Sequence, residues 1–192
     1  MTRLRLLTIF LLVLFVPVAV AANKEVSGRR PLVQSIAGIR IGLNASYDWD
    51  VTKIFGEGLF AEDEGHGGGR YFTDKNRRVT LHVEIGVDRI IDTIELTKGP
   101  VVPKKLNSSD PKFVSIHLAS SPTVDKNLSL GMSPDTVIGR LGKPDKDTKN
   151  GNERTLIYET DYEKDSRVSL VYEAEFKFED GQLVKIRIYD GE

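Results

Sequence analysis

The chain has 192 residues, no cysteine, and 27 basic against 28 acidic side chains, for a formal net charge of −1. Nothing in that balance attracts nucleic acid or an anionic membrane surface. Without cysteine, neither a disulfide nor a cysteine-linked lipid can hold or tether the fold, so a chain of this length must rely on its own core.

Residues 1–22 carry Arg3 and Arg5, an apolar run, Pro17 and the small residues Ala19, Ala21 and Ala22. This is the tripartite pattern of a secretory signal peptide. The apolar stretch also approaches the length of a membrane span, but Pro17 and the Ala-x-Ala ending favour cleavage, with a mature start at Ala22 or Asn23. Taking away Arg3 and Arg5 lowers the basic count from 27 to 25 against 28 acids. The expectation is a periplasmic or secreted protein with no stable membrane anchor once the leader is cleaved. Asn44, Asn107 and Asn127 head Asn-x-Ser/Thr sequons, which matter only in a eukaryotic secretory pathway. Asn44 also fits as a helix cap, and that structural reading is preferred.

Residues 23–30 read as a flexible lead-in, and 31–41 as a short edge strand. In 44–55, Tyr47, Val51, Ile54 and Phe55 recur at the spacing of a helix with one buried face, with Asp48 and Asp50 near its start to suit the dipole. Residues 56–69 are glycine-rich and acidic and are expected to form a mobile loop. Val79, Leu81, Val83 and Ile85 alternate with polar residues as a strand does. The next strand, 90–97, places Ile90, Ile94 and Leu96 on one side and Ile91, Thr93 and Glu95 on the other. Residues 98–112, with three prolines, read as a connection, and 113–119 as a strand.

The most strongly specified stretch is 130–144. Ser133 is a good N-cap, Pro134 fits the first helical position and Asp135 the first turn. Met132 can staple onto Val137, while Gly142 and Pro144 stop the helix. Strands follow over 154–160, 167–178 and 183–189, the last two joined by a reversal at Asp180-Gly181. In the last strand Val184, Ile186 and Ile188 are expected to point inward.

A looser copy of the 130–144 pattern begins at Gly42 and closes at Gly56. Gly42 then falls opposite Gly131, Val79 opposite Val168, and 90–97 opposite 183–189. The predicted fold is α+β: two tandem halves, each a short helical segment packed on an antiparallel sheet. The first repeat covers 31–99, a linker 100–112 and the second repeat 113–192.

Gly131-Met132-Ser133-Pro134-Asp135, then Val137, Leu141-Gly142, Pro144, a strand reaching Tyr158, and Phe178-Glu179-Asp180-Gly181 leading into Leu183-Val184-Lys185-Ile186 together resemble the small exported domains of the BamE/SmpA type. The wider fold group includes the tandem-repeat β-lactamase inhibitor protein, which is similar in having two such halves. The resemblance implies protein binding, within an envelope-assembly complex or against an enzyme. This chain lacks the cysteine through which the envelope-assembly members are tethered.

Candidate chemistry is sparse. His66-Gly67-Gly68-Gly69 matches the oxyanion-hole glycines of lipases and esterases, yet no Gly-x-Ser-x-Gly nucleophile elbow accompanies it, so a flexible loop is the better reading. His66 with Asp63 and Glu64, or His82 with His117, lacks metal-ligand spacing, and these histidines read as surface positions. The pairs Glu173 with Glu175 and Glu159 with Asp161 read as a solvated sheet face. Aromatics outside the core pattern, Trp49, Phe60, Tyr162 and Tyr189, join His66 as candidate protein-interface residues. No catalytic, cofactor or metal residue is assigned. The resulting expectation is a non-enzymatic module that binds another protein, inhibitor-like or envelope-assembly-like. The alternatives are a small secreted hydrolase using the His66 loop and a purely structural envelope component.

Overall fold

The computed structural model describes residues 32–62, 68–165 and 168–191, with the side chains of 43, 87 and 162–170 left outside the description. The expected signal peptide over 1–22, the expected lead-in over 23–30, and His66 with Asp63 and Glu64 therefore lie outside the described residues. The architecture is α+β. A two-stranded hairpin, β1 (Ser35–Ile36) and β2 (Ile39–Arg40), precedes helix α1 (Asp48–Phe55). Strands β3 (Leu59–Ala61), β4 (Gly69–Thr73), β5 (Val79–Ile85) and β6 (Ile91–Lys98) follow. After a long connection come α2 (Pro134–Leu141), β7 (Lys146–Asn150), β8 (Glu153–Asp165), β9 (Val168–Glu179) and β10 (Gln182–Gly191).

Strands β3 to β10 form one eight-stranded sheet in the order β3-β4-β5-β6-β10-β9-β8-β7, antiparallel at every pairing. Because β6 pairs directly with β10, a single cross-strand row runs Phe72, Leu81, Leu96, Ile186, Phe176, Leu156, and all six are fully buried. Side chains of alternate residues must point to opposite faces of a sheet. That face is therefore the core. Val51 and Phe55 of α1 and Val137 of α2 join the same apolar cluster, so both helices lie on it. No helix among the described residues is long and apolar enough to cross a membrane.

Helix α2 follows its local signals. The Ser133 hydroxyl accepts from Thr136 N–H at 3.3 Å, Pro134 opens the helix, and Gly142, at φ 86°, donates its N–H to Ile138 C=O at 2.8 Å. Val137 is buried in the core, and Met132, Ile138 and Leu141 pack against that core partly buried. Helix α1 starts later than expected. Asn44 ends a 3-10 turn, Gly42–Asn44, and Ser46 and Tyr47 are drawn into extended pairing with Ile90 and Ile91. The cap is therefore Tyr47, whose N–H donates to Asp50 Oδ2 at 3.0 Å, and Ile54 is turned to solvent.

Other expectations are corrected by pairing that a single strand's pattern does not carry. The segment 31–41 is not an edge strand but the β1–β2 hairpin, with Val33, Ile36, Ile39 and Ile41 in the core. Part of the predicted loop 56–69 is the β3–β4 hairpin. Residues 113–119 are not a strand: Asp110 caps a 3-10 turn, Pro111–Phe113, Val114 makes one parallel bridge to Thr73, and Ile116 is 80% exposed. Ile91 lies in the core beside Ile94 and Leu96 because Asp92 is an extra, bulged residue opposite Glu84 and Ile85. A second bulge at Val184 gives its inward place to Leu183.

The first described segment, ahead of β1, is held by the Tyr172 phenol. Val33 N–H donates to Tyr172 Oη at 2.9 Å, and that hydroxyl donates back to Val33 C=O at 2.9 Å, both buried. Asp125 adds bonds from Gln34 N–H and Ser35 Oγ. Tyr172→Phe leaves a buried N–H and a buried C=O unpaired and should destabilise the fold by about 1–3 kcal/mol. A lowered urea midpoint with an unchanged slope is the expected result, and an unchanged midpoint refutes it.

Candidate functional site

The sheet's second face is polar and is read most simply by cross-strand rows. One row runs Tyr71, His82, Glu95, Arg187, Glu175, Ile157, Lys146, and the next runs Gly69, Glu84, Thr93, Tyr189, Glu173, Glu159. Opposite charges placed across strands attract. Lys185 bridges Glu95 at 2.8 Å and Glu175 at 3.8 Å, Arg187 meets Glu173 at 3.4 Å, and Lys146 meets Glu159 at 2.6 Å. Of the carboxylates expected on a solvated face, Glu159, Glu173 and Glu175 are members of a half-buried paired ladder, while Asp161 is exposed as expected.

Toward the β3–β4 end of this face lies an open groove of about 710 Å³. Its floor is Tyr71, His82, Glu84, Asp92 and Tyr189; residues 103–106 of the long connection form one wall and residues 61–62 with 68–69 another. The wall of the connection is set by Thr80, whose hydroxyl donates to Gly99 C=O at 2.7 Å and accepts from Val101 N–H at 2.9 Å.

Local backbone choices position the floor. The rings of Tyr71 and His82 stack, with centroids 4.0 Å apart and planes 8° from parallel. That arrangement needs Gly69: a Cβ there would stand 2.5 Å from His82 Nε2. Gly86 does the same for the bulged residue, since a Cβ at Gly86 would collide with the Asp92 carboxylate. Arg187 lies 5.7 Å above the Tyr189 ring and supports it from the ladder side.

The electrostatics follow from burial. Burial pushes the His82 imidazole below its ordinary value against the pull of Glu84 and Glu95. Burial, then the like charge of Glu84, holds the Asp92 carboxyl above the usual carboxylate range. Burial and the neighbouring Asp92 likewise raise the Tyr189 phenol. Asp92 Oδ1 and Thr93 Oγ1 are both buried outside good hydrogen-bond geometry with any group, although the Thr93 hydroxyl is near enough to the Asp92 carboxyl to oppose part of the effect of burial. Among the described residues no set of three or more His, Asp or Glu side chains is placed to hold a metal ion.

The five candidate interface residues are not gathered in one patch. Tyr189 lines the groove. Trp49 lies on α1 on the helix side, 53% exposed, stacked on Tyr47 with centroids 4.3 Å apart. Phe60 is on the outermost strand, with the Arg70 guanidinium 5.1 Å from its ring centre, and Arg70 in turn pairs with buried Asp48 of α1. Tyr162 belongs to β8, opposite Leu170. His66 lies outside the described residues. His82, read from sequence as a surface position, is instead half-buried and stacked. The groove residues Tyr71, Glu84 and Asp92 were missed. The one usable signal was the run Ile90-Ile91-Asp92-Thr93-Ile94, whose broken alternation marks a bulge.

No protein-family model and no curated relative matches the chain. It is similar to the solved structure of a DUF4309 family protein (YjgB) from Bacillus subtilis subsp. subtilis str. 168, at 17% identity over 79% of this chain and 82% of that chain, with a TM-score of 0.44. A likeness that distant transfers no activity and no site.

His82 gives the site a signature in pH. Its folded value lies below its ordinary value of 6.5, so the unfolded chain takes up the proton first. The stability it contributes is full above pH 6.5 and is lost as pH falls from there through the lowered folded value. Urea unfolding followed across that window should show a smaller loss of stability in His82→Phe than in the wild type. Parallel losses in the two proteins would contradict the assignment.

Proposed function

We propose that the chain is an exported, non-enzymatic protein-binding module, inhibitor-like or envelope-assembly-like, that works in the periplasm or outside the cell. Export rests on the signal pattern of residues 1–22. The observation that carries the binding reading is the polar sheet face. Both helices pack on the opposite side, so among the described residues no layer of helix covers this broad ladder of alternating charge. A preformed charge pattern on a rigid sheet steers and selects a partner more than it adds raw affinity.

The reading as two tandem repeats has independent support. Each helix is eight residues long and ends at a glycine of almost the same conformation, Gly56 at φ 88°, ψ −167° and Gly142 at φ 86°, ψ −167°. Each helix precedes four consecutive strands, and the two sets meet at β6 and β10 with mirrored order. This favours a fold grown by duplication over one assembled from unrelated halves.

The mature chain, immobilised and exposed to envelope extract, should retain a stoichiometric protein partner identifiable by mass spectrometry. Exchanging the members of one ion pair, E173R with R187E, keeps the pair but reverses the local pattern, and should lower retention by roughly tenfold or more. Retention of no protein, or equal retention by the exchanged variant, overturns the proposal.

A further inference from the structure

The half-buried acids on the polar face fall into two kinds. Glu95, Glu159, Glu173 and Glu175 each have a lysine or arginine within 4.0 Å. Glu84 and Asp92 have none among the described residues, and burial first, then the like charge of Glu84, holds the Asp92 carboxyl above its ordinary range. Lys104 and Lys105 line the same groove but are exposed and form no ion pair with either acid. Two neighbouring unpaired carboxylates, one with an oxygen buried outside good hydrogen-bond geometry, are costly to assemble in a half-buried site.

The aromatic part of the groove floor favours the same class of ligand as its two acids. Tyr71 and His82 present a stacked aromatic platform, and the Tyr189 ring lines the same space. Burial keeps the His82 ring neutral near pH 7, so it offers a π surface rather than a competing positive charge. Aromatic faces attract cations, and ammonium or guanidinium groups are held best where carboxylates and rings converge. Thr93, 1% exposed, sits in register between Glu84 and Tyr189 with its hydroxyl outside good hydrogen-bond geometry.

We propose that this groove is a receptor for a single organic cation, the alkylammonium or guanidinium group of a lysine or arginine side chain, held by Glu84 and Asp92 against the Tyr71, His82 and Tyr189 rings. The group can come from a partner protein or from a free amine, since both present the same chemistry. A metal ion is a poorer fit, because the groove offers fewer than three convergent ligands among the described residues. The bulge at Asp92 and the bare Cα of Gly86 exist to place the second carboxylate, which the regular alternation of β6 would have pointed away from Glu84.

The test uses the mature chain and three probes: N-acetyl-lysine amide, N-acetyl-arginine amide and the uncharged N-acetyl-norleucine amide. NMR titration should show saturable binding of the two cationic probes in the millimolar range, with shifts concentrated at Tyr71, His82, Glu84 and Asp92, and no saturable shift with norleucine amide. Asp92→Asn and Glu84→Gln should each weaken the cationic probes by about tenfold or more. Because the folded Asp92 binds its proton more tightly than the unfolded chain does, its charge opposes folding at neutral pH. Asp92→Asn should therefore raise the melting temperature at pH 7, and this check shows that lost binding is not lost folding. Saturable binding of the norleucine amide, absence of binding by the cations, or full binding by the Asp92→Asn, Glu84→Gln double variant each overturns the proposal. Envelope capture with the wild type and the same double variant keeps the two proposals apart. A wild-type chain that captures a partner but binds no cationic probe sinks the cation groove alone, and a wild-type chain that binds the probes but captures no protein sinks the protein-binding reading alone; loss of the captured partner in the double variant marks a protein side chain as the source of the cation, and its retention marks a free amine.

Discussion

The seam between β6 and β10 is the constraint on which the rest of this molecule depends. Five residue pairs, Lys185 with Thr97 through Tyr189 with Thr93, join two four-stranded sets into one sheet. Because side chains alternate with period two, a slip of one residue at this seam would send Ile186 and Ile188 to the polar face and Lys185 and Arg187 into the core. The in-register pairing does the opposite. It continues one apolar row across six strands and, on the reverse face, brings Lys185 to Glu95 across the seam. Register, core and charge ladder are therefore three consequences of one alignment.

That alignment also explains why the groove lies where it does. Tyr189 comes from the last strand and Asp92 from β6, almost a hundred positions apart in the chain, and they meet only because the seam is closed. On the outer side, α1 is tied to β4 by Asp48 and Arg70, whose Nε and Nη2 donate to the two carboxylate oxygens at 2.5 and 3.1 Å while Nη1 donates to Glu57 C=O at 2.7 Å. Bidentate guanidinium pairing fixes orientation as well as distance. It anchors the hairpin whose strand β4 carries Gly69 and Tyr71, so one wall and half of the aromatic platform are held from the helix side.

What could be read from the sequence was whatever local chemistry decides. Ser133, Pro134, Val137 and Gly142 announce α2 because cap, first-turn and stop preferences act within a few residues. The alternation of β5 and the Asp180-Gly181 reversal are local in the same sense, and so was the α+β class. The seam was not legible, because pairing between distant strands leaves no mark in either strand alone. Strand β7 escaped because an outermost strand, exposed at every residue from Lys146 to Asn150, has no apolar period to show. The run 113–119 misled in the other direction: Val114, Ile116 and Leu118 alternate, but Pro111 and the Asp110 cap commit the chain to a turn first. Of the candidate site only Tyr189 was visible, as an aromatic outside the core pattern; its neighbours are ordinary polar strand residues until the fold brings them together.

The two bulges show how a small irregularity separates structure from function in this sheet. At Val184 the extra residue is apolar, and its effect is confined to which of two neighbouring aliphatic side chains enters the core. At Asp92 the extra residue is a carboxylate placed beside Glu84, under a glycine that makes room for it. A regular β6 would have turned residue 92 away from this face and left Glu84 as the one groove-floor acid there. Deletion of that residue would restore alternation and remove an unfavourable like-charge contact, so the irregularity is not explained by stability. A local arrangement that works against the stability of its own fold is a reason to look there for a site, and here the arrangement places negative charge in an aromatic groove.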